Sequence, residues 1–214
     1  MFSKQRGKTE IGTHRIYKYS FYDKLNIKKS NFFWKIVDLL ASRLEKLGKL
    51  YEESISKEYK RENQLFNISN SRDILHIGCG AYPVTVITLS KYNGGGRIVG
   101  IDRNLKDVER ARVIIKKMNL QNRISIEQGD GSSYPIEKFD TVIISSCSIP
   151  KKKILQHIFE TARRHTKIIV REIYGPNRLV SDLIDMYEDI EFVKKIENHP
   201  FPTSRWESFY LIKK

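Results

Sequence analysis

Short, almost wholly apolar runs alternate along most of this chain with longer segments whose apolar residues recur at three- and four-residue steps. The runs predict strands over 73–77, 97–101, 123–127, 139–145 and 166–172. The segments between and after them, near 83–92, 104–118, 150–164 and 176–187, read as helices. Two further strands, near 189–197 and 206–213, are placed to form an antiparallel hairpin. Strands that are apolar throughout are buried on both faces, and strands that alternate with helices build a parallel sheet. The pattern therefore predicts an α/β fold: a seven-stranded, mostly parallel sheet with helices on both faces.

Ahead of the first strand the period changes. From Phe32 to Leu50, apolar residues fall at 33, 36, 37, 40, 44 and 47, which predicts one helix. Tyr51 to Phe66 predicts a second, more polar one, and 67–72 is a polar linker. The chain thus divides into a helical N-terminal segment, 1–70, and an α/β domain, 71–214. Residues 1–37 hold nine lysines and arginines against Glu10 and Asp23, half of the net charge. Tyr17, Tyr19, Phe21, Tyr22, Phe32, Phe33 and Trp34 are interleaved with them. Cations beside stacking rings suit RNA or an adenine-bearing ligand. The plainer alternative is rings packed on the domain and lysines in water.

Composition narrows the class. With 214 residues and 40% hydrophobic content, the chain can bury one sizeable core. No apolar run approaches the roughly 18 residues of a membrane span, and the basic N-terminus lacks the apolar stretch of a signal peptide. Cys79 and Cys147 have no metal-ligand spacing, so no metal is expected and a reduced, cytoplasmic protein is. A net charge of +14 favours anionic partners without choosing among them.

Chemistry concentrates at the strand ends. Asp73 to Ile77 runs into Gly78-Cys79-Gly80, and the second strand ends in Asp102. Glycines there let the backbone turn sharply and approach a ligand, and a carboxylate at the second strand's end can accept both ribose hydroxyls. Tyr82-Pro83 stand where a dinucleotide fingerprint would place its third glycine, which favours a smaller adenosine-type ligand over NAD. Asn104 is the better helix cap, which leaves Asp102 for a ligand. In sheets of this kind ligands bind outside the carboxyl ends of the strands, so Cys79, Asp102, Asp130 and Ser145 should face one crevice.

On these motifs the region from Ile74 to Ser148 resembles the core of class I S-adenosylmethionine (SAM) dependent methyltransferases, and the likeness extends over roughly 71–214. The resemblance implies a Rossmann-like fold with an N-terminal helical lid, SAM as cofactor and S-adenosylhomocysteine as product. It implies cofactor contacts at Gly78, Cys79, Gly80, Asp102 and its neighbour Arg103, Asp130 and Gly131 for the adenine, and Ser145. Gly78-Cys79-Gly80-Ala81-Tyr82-Pro83-Val84-Thr85, and the turn Tyr174-Gly175, are also similar to nicotianamine synthases, which transfer the aminocarboxypropyl arm of SAM.

SAM arrives activated, so the protein mostly aligns its reactants and no nucleophilic side chain is required. Glu172 and Tyr174, closing the fifth strand, are the candidate catalytic pair: they could bind a polar acceptor or take a proton from it. The alternative is an ion pair of Glu172 with Arg171 and a packed tyrosine. Ser145 to Pro150 contains no motif for gripping a flipped base, which points to a small-molecule acceptor before RNA. Cys147 reads as pocket lining more readily than as a nucleophile, and His76 as a packed core histidine.

Overall fold

The computed structural model of the protein describes residues 21–173, 178–200 and 205–214. Seven strands form one sheet: β1 (Asp73–Ile77), β2 (Arg97–Asp102), β3 (Ile124–Gln128), β4 (Thr141–Ile144), β5 (Lys167–Ile173), β6 (Ile190–Asn198) and β7 (Trp206–Lys213). Their order is β3-β2-β1-β4-β5-β7-β6, with β7 the reversed strand between β5 and β6. Chain direction reverses its march across the sheet between β1 and β4, which opens a crevice at their carboxyl ends. The predicted strands are all present, with ends shifted by no more than two residues at any described boundary.

Side chains alternate across the sheet. Leu75, Ile77, Val142, Ile144, Ile168 and Val170 face α5 (Lys151–Thr161) and α6 (Arg178–Ile184). Ile74, Ile98, Ile143 and Ile169 face α3 (Val84–Tyr92) and α4 (Leu105–Lys117). Asn104 caps α4, its side chain accepting the Lys106 amide at 3.1 Å.

The N-terminal helices depart from the expected pattern. α1 (Phe21–Arg43) and α2 (Glu45–Leu65) meet at Leu44, whose backbone is extended, so the break falls six residues before the predicted end of the first helix. No glycine or proline marks it. Gly48 permits the elbow: a Cβ there would stand 3.0 Å from the Ala41 carbonyl oxygen and 2.8 Å from the Tyr82 ring. The bend lets α2 pack beside α3 while α1 crosses the glycine turn.

A buried ion pair locks α2 down. The Arg171 guanidinium on β5 reaches Glu62 through Nη2 at 2.7 Å and Nε at 3.0 Å, and both side chains are almost wholly buried. Nη1 donates to Thr85 on α3 at 2.8 Å, and the guanidinium lies 3.8 Å from the centre of the Tyr59 ring. Glu62 also accepts from the Trp206 indole at 3.3 Å and from Ser208. Removing one partner strands the other charge, so Glu62→Ala should cost about 3–5 kcal/mol. Glu62→Leu combined with Arg171→Met should recover part of that loss. Urea unfolding measures both; a cost below about 1 kcal/mol for Glu62→Ala would show that the pair does not hold the helix.

Candidate functional site

The glycine turn is fastened before it meets any ligand. The amides of Gly78 and Cys79 both donate to the Ile101 carbonyl, at 2.9 and 3.0 Å. Gly78 and Gly80 have φ of 80° and 69°, a region costly for any residue with a Cβ. The Gly80 amide donates to Asp102 Oδ2 at 3.0 Å, and Asp102 Oδ1 accepts the Asn104 amide at 2.9 Å. Each carboxylate oxygen keeps a second lone pair for a ligand. Asp102 therefore ties its own strand end to the glycine turn and stands half-buried beside it.

Asp130 lies across the crevice. Its Oδ1 accepts the Ser132 amide at 2.9 Å and the Ser132 hydroxyl at 2.7 Å, and these bonds hold its carboxyl below the usual range. Arg103 stands 4.0 Å away in an exposed pair. Gly131 is buried against Ile77, leaving no room for a side chain. Ser145 donates its amide to the Ile77 carbonyl at 3.0 Å, and Lys151 reaches the Ser145 carbonyl. All eight residues expected to hold the cofactor line one cavity of about 360 Å³.

Of the expected catalytic pair, Glu172 alone is described. Tyr174 lies outside the described residues. Glu172 is buried, and burial raises its carboxyl. Strand alternation turns it to the α5 side of the sheet, away from the cavity that Arg171 and Ile173 line. Arg171 pairs with Glu62, not with Glu172. Cys147 lines the cavity, but burial pushes its thiol up, so it is no activated nucleophile. His76 is buried with neither ring nitrogen hydrogen-bonded among the described residues; burial and the nearby Arg171 hold it neutral.

Several wall residues were not expected at the site, although Trp34 stood among the rings noted in the sequence. Trp34 and Asp38 come from α1, Tyr51, Ile55 and Tyr59 from α2, and Trp206 from β7. Tyr51, Ile55, Tyr59 and Glu62 follow one another at helical steps, the signal that could have revealed them. Asp38 is the most consequential. Its carboxylate accepts the Ala81 amide at 2.5 Å and the Tyr82 amide at 2.9 Å, so α1 is bonded directly onto the glycine turn. A Cβ on Gly80 would stand 2.6 Å from it. Burial, opposed by those two bonds, raises Asp38 from its ordinary 3.8 to about 7.

The comparisons agree with this geometry. Residues 68–209 match the family described as a methyltransferase domain, and the chain belongs to that family. It has the class I SAM-dependent methyltransferase fold. Among curated proteins it is 28% identical over 129 residues to a probable cobalt-precorrin-6B C(15)-methyltransferase (decarboxylating) of Saccharolobus solfataricus, covering 59% of this chain and 64% of that one. The chain spans between about half and two thirds of the length of the curated relatives it matches. A crystal structure of a point mutant of MtNAS superposes with a TM-score of 0.73 at 18% identity, over 90% of this chain and 76% of that one. An O-methyltransferase from Bacillus cereus in complex with SAH gives 0.58 at 19% identity, over 73% and 81%.

An acid raised on folding favours the folded state at low pH, and that contribution is lost as pH rises from its unfolded to its folded value. The wild type should therefore lose stability relative to Asp38→Asn between about pH 4 and pH 7, and the difference should level off above. Thermal midpoints of the two proteins across that range check it; parallel profiles would show that Asp38 titrates normally.

Proposed function

We propose that this protein is a SAM-dependent methyltransferase acting on a small-molecule acceptor, with residues 71–214 as the cofactor domain and 1–70 as lid and acceptor wall. The observation that carries the reading is the roofed cavity: α1 is bonded by Asp38 across the glycine turn, and α2 closes the space beside it. A cavity of about 360 Å³ is in the range of small-ligand sites, and no groove for a polymer is needed to account for it.

The residues fit an adenosyl group. The glycine turn presents backbone without a Cβ, Asp102 has lone pairs for ribose hydroxyls, and Asp130, with Gly131, stands where an adenine amine would donate. Arg103, Cys79 and Ser145 complete that wall. When bound, SAM supplies a carbon already activated by its sulfonium. The chain's residues orient and exclude water. Trp34, Tyr51, Tyr59 and Trp206 wall the remaining space, where the acceptor would sit. Glu172, on β5, enters this reading only as a positioning group. A cytoplasmic location goes with it.

A second reading, aminocarboxypropyl transfer, is favoured by one observation. The likeness to MtNAS reaches 90% of this chain, whereas the O-methyltransferase likeness reaches 73%. Crystal structures of MtNAS hold S-adenosylmethionine, or MTA and tNA. RNA as acceptor stays the alternative that the basic N-terminus suggests.

Turnover of SAM with a small-metabolite extract should yield S-adenosylhomocysteine. Methylthioadenosine would select aminocarboxypropyl transfer, and activity only with added RNA would overturn the small-molecule acceptor. Asp102→Ala should weaken SAM binding by ten- to a hundredfold, about 1.5–3 kcal/mol for a charge-assisted hydrogen-bond pair. Calorimetry on a folded variant with unchanged affinity would remove the ribose assignment.

A further inference from the structure

Helix α1 carries apolar residues on both of its faces, and one set of them is left exposed. The face it turns to the protein is mixed: Ser30, Asn31 and Asp38, with Trp34, line the cavity, Ala41 is buried, and Ile27 and Val37 are half-buried. The face it turns to solvent carries a further apolar row. Phe33, Ile36 and Leu40 follow one another at steps of three and four, Phe32 flanks them, and Leu44 and Leu47 continue the row past the elbow. Their exposures run from 39% at Leu47 to 67% at Phe32. A helix normally buries its apolar stripe, and a continuous exposed row of this length marks a surface that something else covers.

Charge identifies the cover. Lys24, Lys28, Lys29, Arg43, Lys46 and Lys49 are exposed along the same two helices, and Lys35, also exposed, stands at the cavity rim. The acids of the stretch are Asp23, Asp38 and Glu45; Asp38 points into the cavity and Glu45 is paired with Lys49 at 2.9 Å. Residues 1–20 add five more cations against Glu10. Two copies meeting through this face would bring like charges together. Stacked bases would use the phenylalanines but leave Ile36, Leu40, Leu44 and Leu47 without a partner. Acyl chains beneath anionic headgroups satisfy both the aliphatic row and the cations, and aromatic rings at the same level favour that boundary.

We propose that the outer face of α1, continued to Leu47, docks this protein on an anionic membrane surface, with α1 lying in the plane of the headgroups. No helix among the described residues is long and apolar enough to cross a membrane, so the contact is peripheral.

Flotation of the full chain with vesicles of equal parts phosphatidylglycerol and phosphatidylcholine, and with pure phosphatidylcholine vesicles, tests this. Binding should require the anionic lipid and fall at least tenfold between about 50 and 500 mM salt, as screening shortens the reach of the lysines. Phe33→Glu with Leu40→Glu should weaken it at least tenfold, with an unchanged circular dichroism melt, because both side chains face solvent. Lys28→Glu with Lys29→Glu, which leaves the apolar row intact, should weaken it similarly. Indifference to headgroup charge, or to either pair of substitutions, would overturn the proposal. So would a dimer in sedimentation that Phe33→Glu with Leu40→Glu dissociates, or RNA binding without vesicle binding.

Discussion

The Glu62–Arg171 pair is the interaction on which the architecture of the cavity depends. A guanidinium and a carboxylate withdrawn from water gain little net stability, since desolvation offsets most of their attraction. Their value lies in geometry. Two guanidinium nitrogens converge on Glu62 Oε2 and fix α2 against β5, and the remaining guanidinium nitrogen fixes α3 through Thr85. Any other seating of α2 would leave a charge buried without a partner. Tyr59 and Trp206, which touch the pair, are also walls of the cavity, so the lock and the chamber are made of the same residues.

With α2 fixed, the elbow at Leu44 sets the path of α1, and Asp38 completes the roof. The glycine turn is then held from two sides, by Asp102 from the sheet and by Asp38 from the helix. A turn with two positive-φ residues is conformationally permissive in isolation; these two carboxylates restrict it to one shape. One of them serves the sheet's own fold while facing the ligand side, and the other couples the roof to a group that titrates near neutrality.

The orientation of α1 follows from the same constraint. Ser30, Asn31 and Asp38 line the cavity with Trp34, Ala41 is buried, and Phe32, Phe33, Ile36 and Leu40 are left exposed. The helix is held to the domain by the two hydrogen bonds of Asp38, the packing of Trp34 on Tyr51 and the burial of Ala41. An exposed aliphatic row flanked by cations is the consequence, and it makes the roof the surface that meets the outside.

By itself the sequence determined the sheet and the cofactor side of the crevice. Period-two and period-3.6 patterns are local, so Ile74 to Ile77, Val142 to Ile144 and the helices between could be read directly. The glycine turn, Asp102 and the Asn104 cap were legible for the same reason: each is fixed by neighbours within a few residues. The tertiary structure alone decided the rest. Glu62 lies 109 positions from Arg171 and reads as one more charge in a polar helix. Asp38 lies 43 positions before the amide it accepts. Glu172 looked suited to the site by position, but β5 turns it to the opposite face from Arg171. The stripe of α1 was visible as a period, yet a period gives only the existence of an apolar face. Which way that face points depends on what the other face must touch, and here the other face must line a cavity.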